Sequence, residues 1–366
     1  MRLSICRATI EICDNEIFLK SKCSGCRQCL KQCPAARHMN ESPQSIMSCG
    51  CISCGKCLDA CPFHTIDYRD DTLSFIEDLK KGEKISLLVA PAVLRHFSSP
   101  EKLFGFLKLL GVESIHNVIL YADIAIWAYV EQLRRNPGTG FIASPCAAII
   151  RYIQLHKPML LKHVMPVYSP MQCTAIFLKK YAQAKGKLAF LSPCIAKRTE
   201  MRSIGCSTVS YNITIGRLKK YIMDHSIDIE RHFASGFDDL KSGDGVTLGL
   251  YGGVSESIAA HIPSLSYTKV CGANKAYDFL EKYATSSQNG VQLPDMSEVF
   301  NCEDPCDGGP GCGKLCPKPD TEKKSSNDKP NTIGYATKYS LSKKVFAEFD
   351  MSLDIADFLA DYSSAY

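Results

Sequence analysis

Eight cysteines repeat one spacing, and that repeat constrains the fold more than anything else in the chain. Cys23, Cys26, Cys29, Cys33-Pro34 and Cys51, Cys54, Cys57, Cys61-Pro62 each read C-x2-C-x2-C-x3-C-P. Such spacing lets one loop wrap three corners of an iron-sulfur cube in soft, strongly donating thiolates, while the fourth cysteine ligates the neighbouring cube. The expected assignment places Cys23, Cys26, Cys29 and Cys61 on one [4Fe-4S] cluster and Cys51, Cys54, Cys57 and Cys33 on the second. Zinc also takes C-x2-C pairs, but it needs four ligands and has no use for a repeated third cysteine with a trailing C-P. Disulfides fit less well still, because a chain without a signal peptide belongs in a reducing compartment where thiols stay free for metal.

The 366 residues allow a small cluster module plus a large globular body that divides into lobes. The net charge of +5 comes from scattered lysines and arginines, which gives no support to nucleic-acid binding. Residues 1–15 interleave charge with apolar residues and lack the apolar core of a signal peptide, and no later stretch is long and apolar enough to span a membrane. The expected location is cytoplasmic, without a membrane partner.

Residues 1–78 form the expected cluster module, an α+β two-[4Fe-4S] domain, and residues 79–366 the body, with a polar junction at Asp67–Asp71 and Lys80–Lys84. Strands and helices then alternate. Lys84–Val93, Ser114–Tyr121, Gly140–Ser144 and Lys187–Ser192 read as strands, and Glu101–Leu110, Asp123–Arg135, Ala147–His156 and Ser169–Ala184 as helices. A second block begins with a strand at Gly245–Tyr251, passes through a helix near Val254–His261 and reaches Cys302 and Cys306. The expected body is thus α/β and two-lobed. Residues 317–332 read as a polar loop, and residues 333–366 as a helical tail with periodicity over Ser342–Leu359.

Ser144-Pro145-Cys146, Ser192-Pro193-Cys194 and Cys302-x3-Cys306 stand at the ends of expected strands. Four thiols from three loops could close a further cube at the crevice where the strand ends of an α/β sheet meet. Any one of them alone would pass for a buried structural cysteine. Proline ahead of two, and the glycine-rich Asp307-Gly308-Gly309-Pro310-Gly311 after the last, favour shaped loops.

These loops resemble the signatures of the [FeFe] hydrogenases, approximately TSCCPxW, PCxxKxxE and ACxxGCxxGGG. The matching stretches are Ala143-Ser144-Pro145-Cys146-Ala147, Pro193-Cys194-Ile195-Ala196-Lys197-Arg198-Thr199-Glu200 and Asn301-Cys302-Glu303-Asp304-Pro305-Cys306-Asp307-Gly308-Gly309. Ala90-Pro91-Ala92-Val93, Ser169-Pro170-Met171-Gln172 and Tyr251-Gly252-Gly253-Val254 agree as well, so the resemblance covers nearly the whole chain. It implies a ferredoxin-like domain followed by a hydrogenase H-domain, with the H-cluster between the lobes. In that cofactor a [4Fe-4S] cube shares one cysteine sulfur with a diiron unit carrying CO, cyanide and a dithiolate. The resemblance implies that Cys146, Cys194, Cys302 and Cys306 hold the cube, that Cys306 is the bridge, and that Lys197 donates to a cyanide. Ala90, Pro91, Ser169, Pro170 and Met171 would line the diiron pocket. The implied partners are H2 and protons, a soluble electron carrier such as ferredoxin, and the maturation proteins that insert the diiron unit.

The chain also departs from the family pattern. Pro145 replaces a cysteine whose thiol passes protons to the diiron site, and proline carries no exchangeable proton. Ala128 and Gln132 fall where relay glutamates are expected; Glu131 lies one residue out of register, about 100° round a helix. Tyr129, Glu200 and Cys173 are candidate substitutes. Ser192 replaces a methionine and Leu248 an aromatic, changes expected to open the pocket or make it more polar. An SPC first loop resembles that of the divergent hydrogenases regarded as hydrogen sensors, so the expected activity is slow interconversion of H2 with protons and electrons, or sensing through a signalling partner. A non-catalytic iron-sulfur assembly protein without the diiron unit and a plain electron-transfer adaptor remain alternatives. Cys312 and Cys316 could belong to another metal site but are expected to be unmetallated. Cys6, Cys13, Cys49, Cys206 and Cys271 lack partner spacing, His64 reads as an exposed loop residue, and Trp127 reads as packing.

Overall fold

Alternation of apolar strands with amphipathic helices yields two parallel sheets, both of which point their strand ends toward the cysteine loops. The computed structural model describes residues 17–19, 21, 23–38, 50–202, 208–239, 252–313 and 344–363. Near the N-terminus β1 (Ile17–Leu19) pairs antiparallel with β2 (Ile66–Tyr68). Ile17 and Ile66 pack with Cys29 and Cys61 into a small core, and the short helices Gln28–Lys31 and Lys56–Ala60 follow the two cysteine loops.

The larger sheet has the order β4-β3-β6-β7, from β3 (Ile85–Val89), β4 (Val112–Asn117), β6 (Lys187–Ser192) and β7 (Tyr211–Thr214). All five residues of β3 are buried, as a parallel strand covered on both faces requires. The smaller sheet has the order β5-β9-β8, from β5 (Phe141–Ile142), β8 (Tyr267–Cys271) and β9 (Met296–Phe300), all parallel. Helix Val118–Arg135 joins the two cores: Val118 belongs to the core of the larger sheet, whereas Ala122 through Leu133 pack into the second core with Met165, Val254 and Met296. The architecture is α/β in two lobes.

Several sequence boundaries shift for identifiable reasons. The strand expected over Lys84–Val93 stops at Val89; Ala90 N–H makes the last bond to Leu191 O, at 3.0 Å, before Pro91. The expected strand Ser114–Tyr121 ends at Asn117, whose side chain caps the next helix by accepting from Ile119 N–H at 3.1 Å, so the helix begins at Val118 rather than Asp123. The helix expected over Ser169–Ala184 is α-helical only over Pro170–Ile176 and widens to a π turn at Phe177–Tyr181. β7, β8 and β9 fall where the sequence predicts no strand. The expected strand Gly245–Tyr251, the loop 317–332 and the first part of the tail lie outside the described residues. Within the tail, residues 344–352 are helical and Ile355–Phe358 form a 3-10 turn.

The polar segment 67–71 is a seam rather than a spacer. Asp67 accepts from Arg217 Nη2 at 2.5 Å, Asp70 from Thr214 N–H at 2.6 Å, and Asp71 from Arg198 Nε at 2.9 Å and Asn212 N–H at 3.0 Å. These bonds tie the cluster module to β7 and its neighbouring helices.

Candidate metal centre

Within the doubled run, Cys29 senses the charges of Cys23 and Cys61, Cys54 those of Cys33 and Cys51, and Cys57 those of Cys51, Cys54, Cys33 and Cys29. Cys26 stands exposed on the first loop. Burial pushes the Cys51 thiol up to about 11 and raises Cys33 and Cys54, so these buried thiols ionise only against a compensating cation.

The second cysteine set converges from both lobes. Cys146 follows β5 and Cys302 and Cys306 follow β9 in the smaller sheet, while Cys194 follows β6 in the larger one. All four keep some accessible surface, yet burial dominates their electrostatics. Cys302 lies within charge range of Cys146, Cys194 and Cys306. Burial together with the neighbouring thiols raises Cys194 to about 11 and Cys306 to about 12, against the opposing pull of the Lys197 ammonium. Cys302 with three further thiols in charge range presents the soft donor chemistry that a [4Fe-4S] cube takes.

The loops brace one another through backbone contacts. Ser192 Oγ accepts from Cys194 N–H at 3.0 Å, and Gly311 N–H donates to Pro193 O at 2.8 Å. At Gly309 a Cβ would collide with that same Pro193 carbonyl. Gly55, between Cys54 and Cys57, has φ +75°, and a Cβ there would collide with Pro310; the third loop therefore rests on the cluster module as well. Asp307, next to Cys306, is clamped by Arg95: Nε lies 2.5 Å from Oδ2 and Nη2 2.6 Å from Oδ1. The Asp307 carbonyl accepts from the Cys312 thiol at 3.2 Å and lies 2.9 Å from His96 Nε2.

Beside these thiols lies a cavity of about 90 Å³. Ala90, Pro91, Pro145, Pro170, Met171, Lys197, Cys194 and Cys306 line it, with Ala92, Arg95, Val118, Ile119, Ala122, Phe190, Pro193 and Phe300. The lining is largely apolar, which fits a group whose ligands water must not displace. Lys197 supplies the charge. Its ammonium grips Glu200 Oε2, and Ser169 Oγ donates to Glu200 Oε1. Burial alone would lower the lysine pKa, but Glu200, with Cys194 and Cys306 nearby, holds it above the ordinary value. Both the cube and a small diiron unit carrying anionic ligands therefore fit the residues present.

Two expected lining residues occupy other positions. Ser169 lies behind the wall, bonded to Glu200, and Ser192 is fully buried against the backbone of Cys194; neither lines the cavity, so the methionine-to-serine change does not make that wall polar. Cys173 is fully buried, donates to Tyr168 O at 3.4 Å and is also absent from the cavity wall. Tyr129 bonds Ser144 Oγ at 2.7 Å, and Glu131 pairs with Arg134 at 3.0 Å on the outer side of its helix. Trp127 packs against Phe349 and Phe358, and His64 is exposed. Cys6, Cys13, Cys49, Cys206, Leu248 and Cys316 lie outside the described residues. Arg95 at the wall carries no motif signal; its role depends on the turn that follows Pro91.

The family model described as "Iron only hydrogenase large subunit, C-terminal domain" matches residues 83–310, and that of a 4Fe-4S dicluster domain matches residues 16–62. A comparison with curated proteins returned no match. Among solved structures, an [FeFe]-hydrogenase described for oxygen inactivation of its H cluster 2Fe subcluster aligns with a TM-score of 0.60 at 16% identity, covering 79% of this chain and 97% of that one. A glutamate variant of the [FeFe]-hydrogenase HydA1 from Chlamydomonas reinhardtii aligns with a TM-score of 0.54 at 15% identity, covering 79% and 97%. At such identities the structural likeness speaks for the fold, and the family match extends over more than half of the residues. The chain belongs to the iron-only hydrogenase family and carries a 4Fe-4S dicluster domain ahead of the hydrogenase domain.

Proposed function

We propose that this protein slowly interconverts H2 with two protons and two electrons at an H-cluster, in a hydrogen-sensing or low-turnover role. The observation that carries the reading is the shared cavity wall of Cys306 and Lys197 beside four converging thiols. Cys146, Cys194, Cys302 and Cys306 would hold the cube, with Cys306 as the bridge. When bound, the diiron unit supplies the atoms at which dihydrogen is split or formed.

The chain's own residues prepare that chemistry. Lys197 Nζ would present a charged donor to a cyanide ligand beside a largely apolar wall, where such a bond is strong. Glu200 fixes the ammonium and Ser169 fixes Glu200, so the donor keeps its direction. Ala90, Pro91, Pro145, Pro170 and Met171 give that wall few groups to which water could bond. Proton movement is the weak step: Pro145, Ala128 and Gln132 offer nothing that titrates, and a relay needs titrating groups in contact or joined by one water. Electrons would leave through the two clusters of the N-terminal domain, since Cys54 packs in the same apolar core as Cys146 and Cys194. They would pass to a soluble carrier such as ferredoxin or to a signalling partner protein in the cytoplasm, after maturation proteins have loaded the diiron unit. No described helix is long and apolar enough to cross a membrane.

Infrared spectroscopy on anaerobically matured protein tests this reading, followed by an H2/D2 exchange assay. CO and cyanide bands with slow exchange are expected. Bands that never appear would favour an assembly or electron-transfer protein, and exchange as fast as in a standard hydrogenase would refute the proton-limited mechanism.

A further inference from the structure

Tyr277, on the second turn of helix Ala273–Gln288, is fully buried and shares an apolar core with Cys54, against which Cys146 and Cys194 also pack. It lies within electrostatic reach of Cys54 in the cluster module and of Cys146 and Cys302 in the hydrogenase domain. Its ring packs on Tyr152 with centroids 4.5 Å apart, which leaves it no room to swing away. The Tyr277 hydroxyl donates to Asn301 Oδ1 at 2.8 Å. Asn301 is 2% exposed, and its Nδ2 donates to Cys302 Sγ at 3.8 Å.

A carboxamide is planar, so fixing its oxygen fixes where its N–H groups point. The terminal torsion of asparagine is otherwise broad and roughly two-fold, and an unrestrained amide could turn its oxygen toward the sulfur. We propose that Tyr277 is a positioning residue that locks the Asn301 amide with its N–H directed at the Cys302 thiolate, thereby raising the reduction potential of the cube. The sign follows from charge. Reduction adds an electron to the cluster, and a donor aimed at a ligand sulfur stabilises the more negative state more than the oxidised one. The inference rests on the cube assigned above to Cys146, Cys194, Cys302 and Cys306.

The test is a redox titration monitored by electron paramagnetic resonance on the full chain, reconstituted anaerobically with iron and sulfide. Tyr277→Phe keeps the ring and removes only the hydroxyl; Asn301→Ala removes the amide. If about half the strength of a hydrogen bond to a charged acceptor distinguishes the two redox states, each variant shifts the reduced-to-oxidised ratio roughly 4- to 12-fold at fixed poise. That moves the midpoint about 35–65 mV negative for one electron. The double variant should move no further than Asn301→Ala, and the midpoints of the two N-terminal clusters should stay in place. An unmoved cube in Tyr277→Phe, additive shifts in the double variant, or equal shifts in all three clusters would each overturn the positioning role. A chain that assembles only two clusters would overturn this inference and the proposed function together, whereas three clusters with an unmoved midpoint would overturn this inference alone.

Discussion

Arg95→Ala should destabilise the hydrogenase domain more than Asp307→Asn does, although both break the same pair. Asp307 is 6% exposed and accepts both guanidinium bonds, while the Arg95 side chain keeps 35% of its surface in solvent. Removing the arginine strands a buried carboxylate; breaking such pairs costs roughly 3–5 kcal/mol when both partners are buried. Solvent screening at the exposed arginine reduces that to about 2–3 kcal/mol here. Asp307→Asn keeps an oxygen that can accept from Arg95 and leaves a cation that water can reach, so the expected cost is about 1 kcal/mol. Neither change should unfold the loop outright, because the residue 307 carbonyl keeps its bonds to Cys312 and His96. Trp127 is the chain's single tryptophan and is 3% exposed in the second core, so its fluorescence reports unfolding of this domain in urea. The two variants should differ by about 1–2 kcal/mol in the order stated, a gap obtained from the two costs above. Equal costs, or a larger cost for Asp307→Asn, would refute the reasoning.

Lys197→Met keeps an unbranched side chain one atom shorter but removes the donor, and infrared CO and cyanide intensity per protein should fall roughly 10- to 100-fold, as for loss of a group supporting a metal site. Pro145→Cys places a titrating thiol on the cavity wall; H2/D2 exchange should rise about tenfold or less, below the full range for general acid-base catalysis, because Ala128 and Gln132 leave the next transfer unserved. Glu298 is 1% exposed, its Oε1 has no partner among the described residues, and burial raises its pKa above 4.5. Its stabilising contribution is therefore complete below pH 4.5 and is lost as pH rises through the higher native value. Glu298→Gln should consequently raise the urea midpoint relative to the parent at pH 8, with the advantage shrinking toward pH 5; an advantage that grows on acidification would contradict this.

Spacing made the candidate metal ligands legible because a cube restricts which cysteines can share one loop, whereas a strand can hide in many sequences. Lys187–Ser192 holds a continuous apolar run from Leu188 to Leu191 and is readable as a strand with its ends intact. β7 is only four residues long, β8 is only partly buried, and neither carries a pattern that separates it from a loop. The apolar residues from Val118 to Tyr121 look like a strand's continuation; the cap made by Asn117 depends on a side-chain direction that no periodicity encodes. Ser192 likewise faces its own turn rather than the cavity because it bonds both the N–H and the carbonyl of Cys194. Arg95 and Tyr277 matter through partners 212 and 24 positions away, at Asp307 and Asn301, and only the folded chain brings those pairs together.

The seat of Pro310 against Gly55 has a practical corollary for anyone building chimaeras. A cluster module grafted from elsewhere would need a bare α-carbon at that point, in the same left-handed turn, or it would push the loop after Cys306 off its mount. The two domains thus fit as one piece, and replacing the first without reshaping the second should loosen that loop before it disturbs either core.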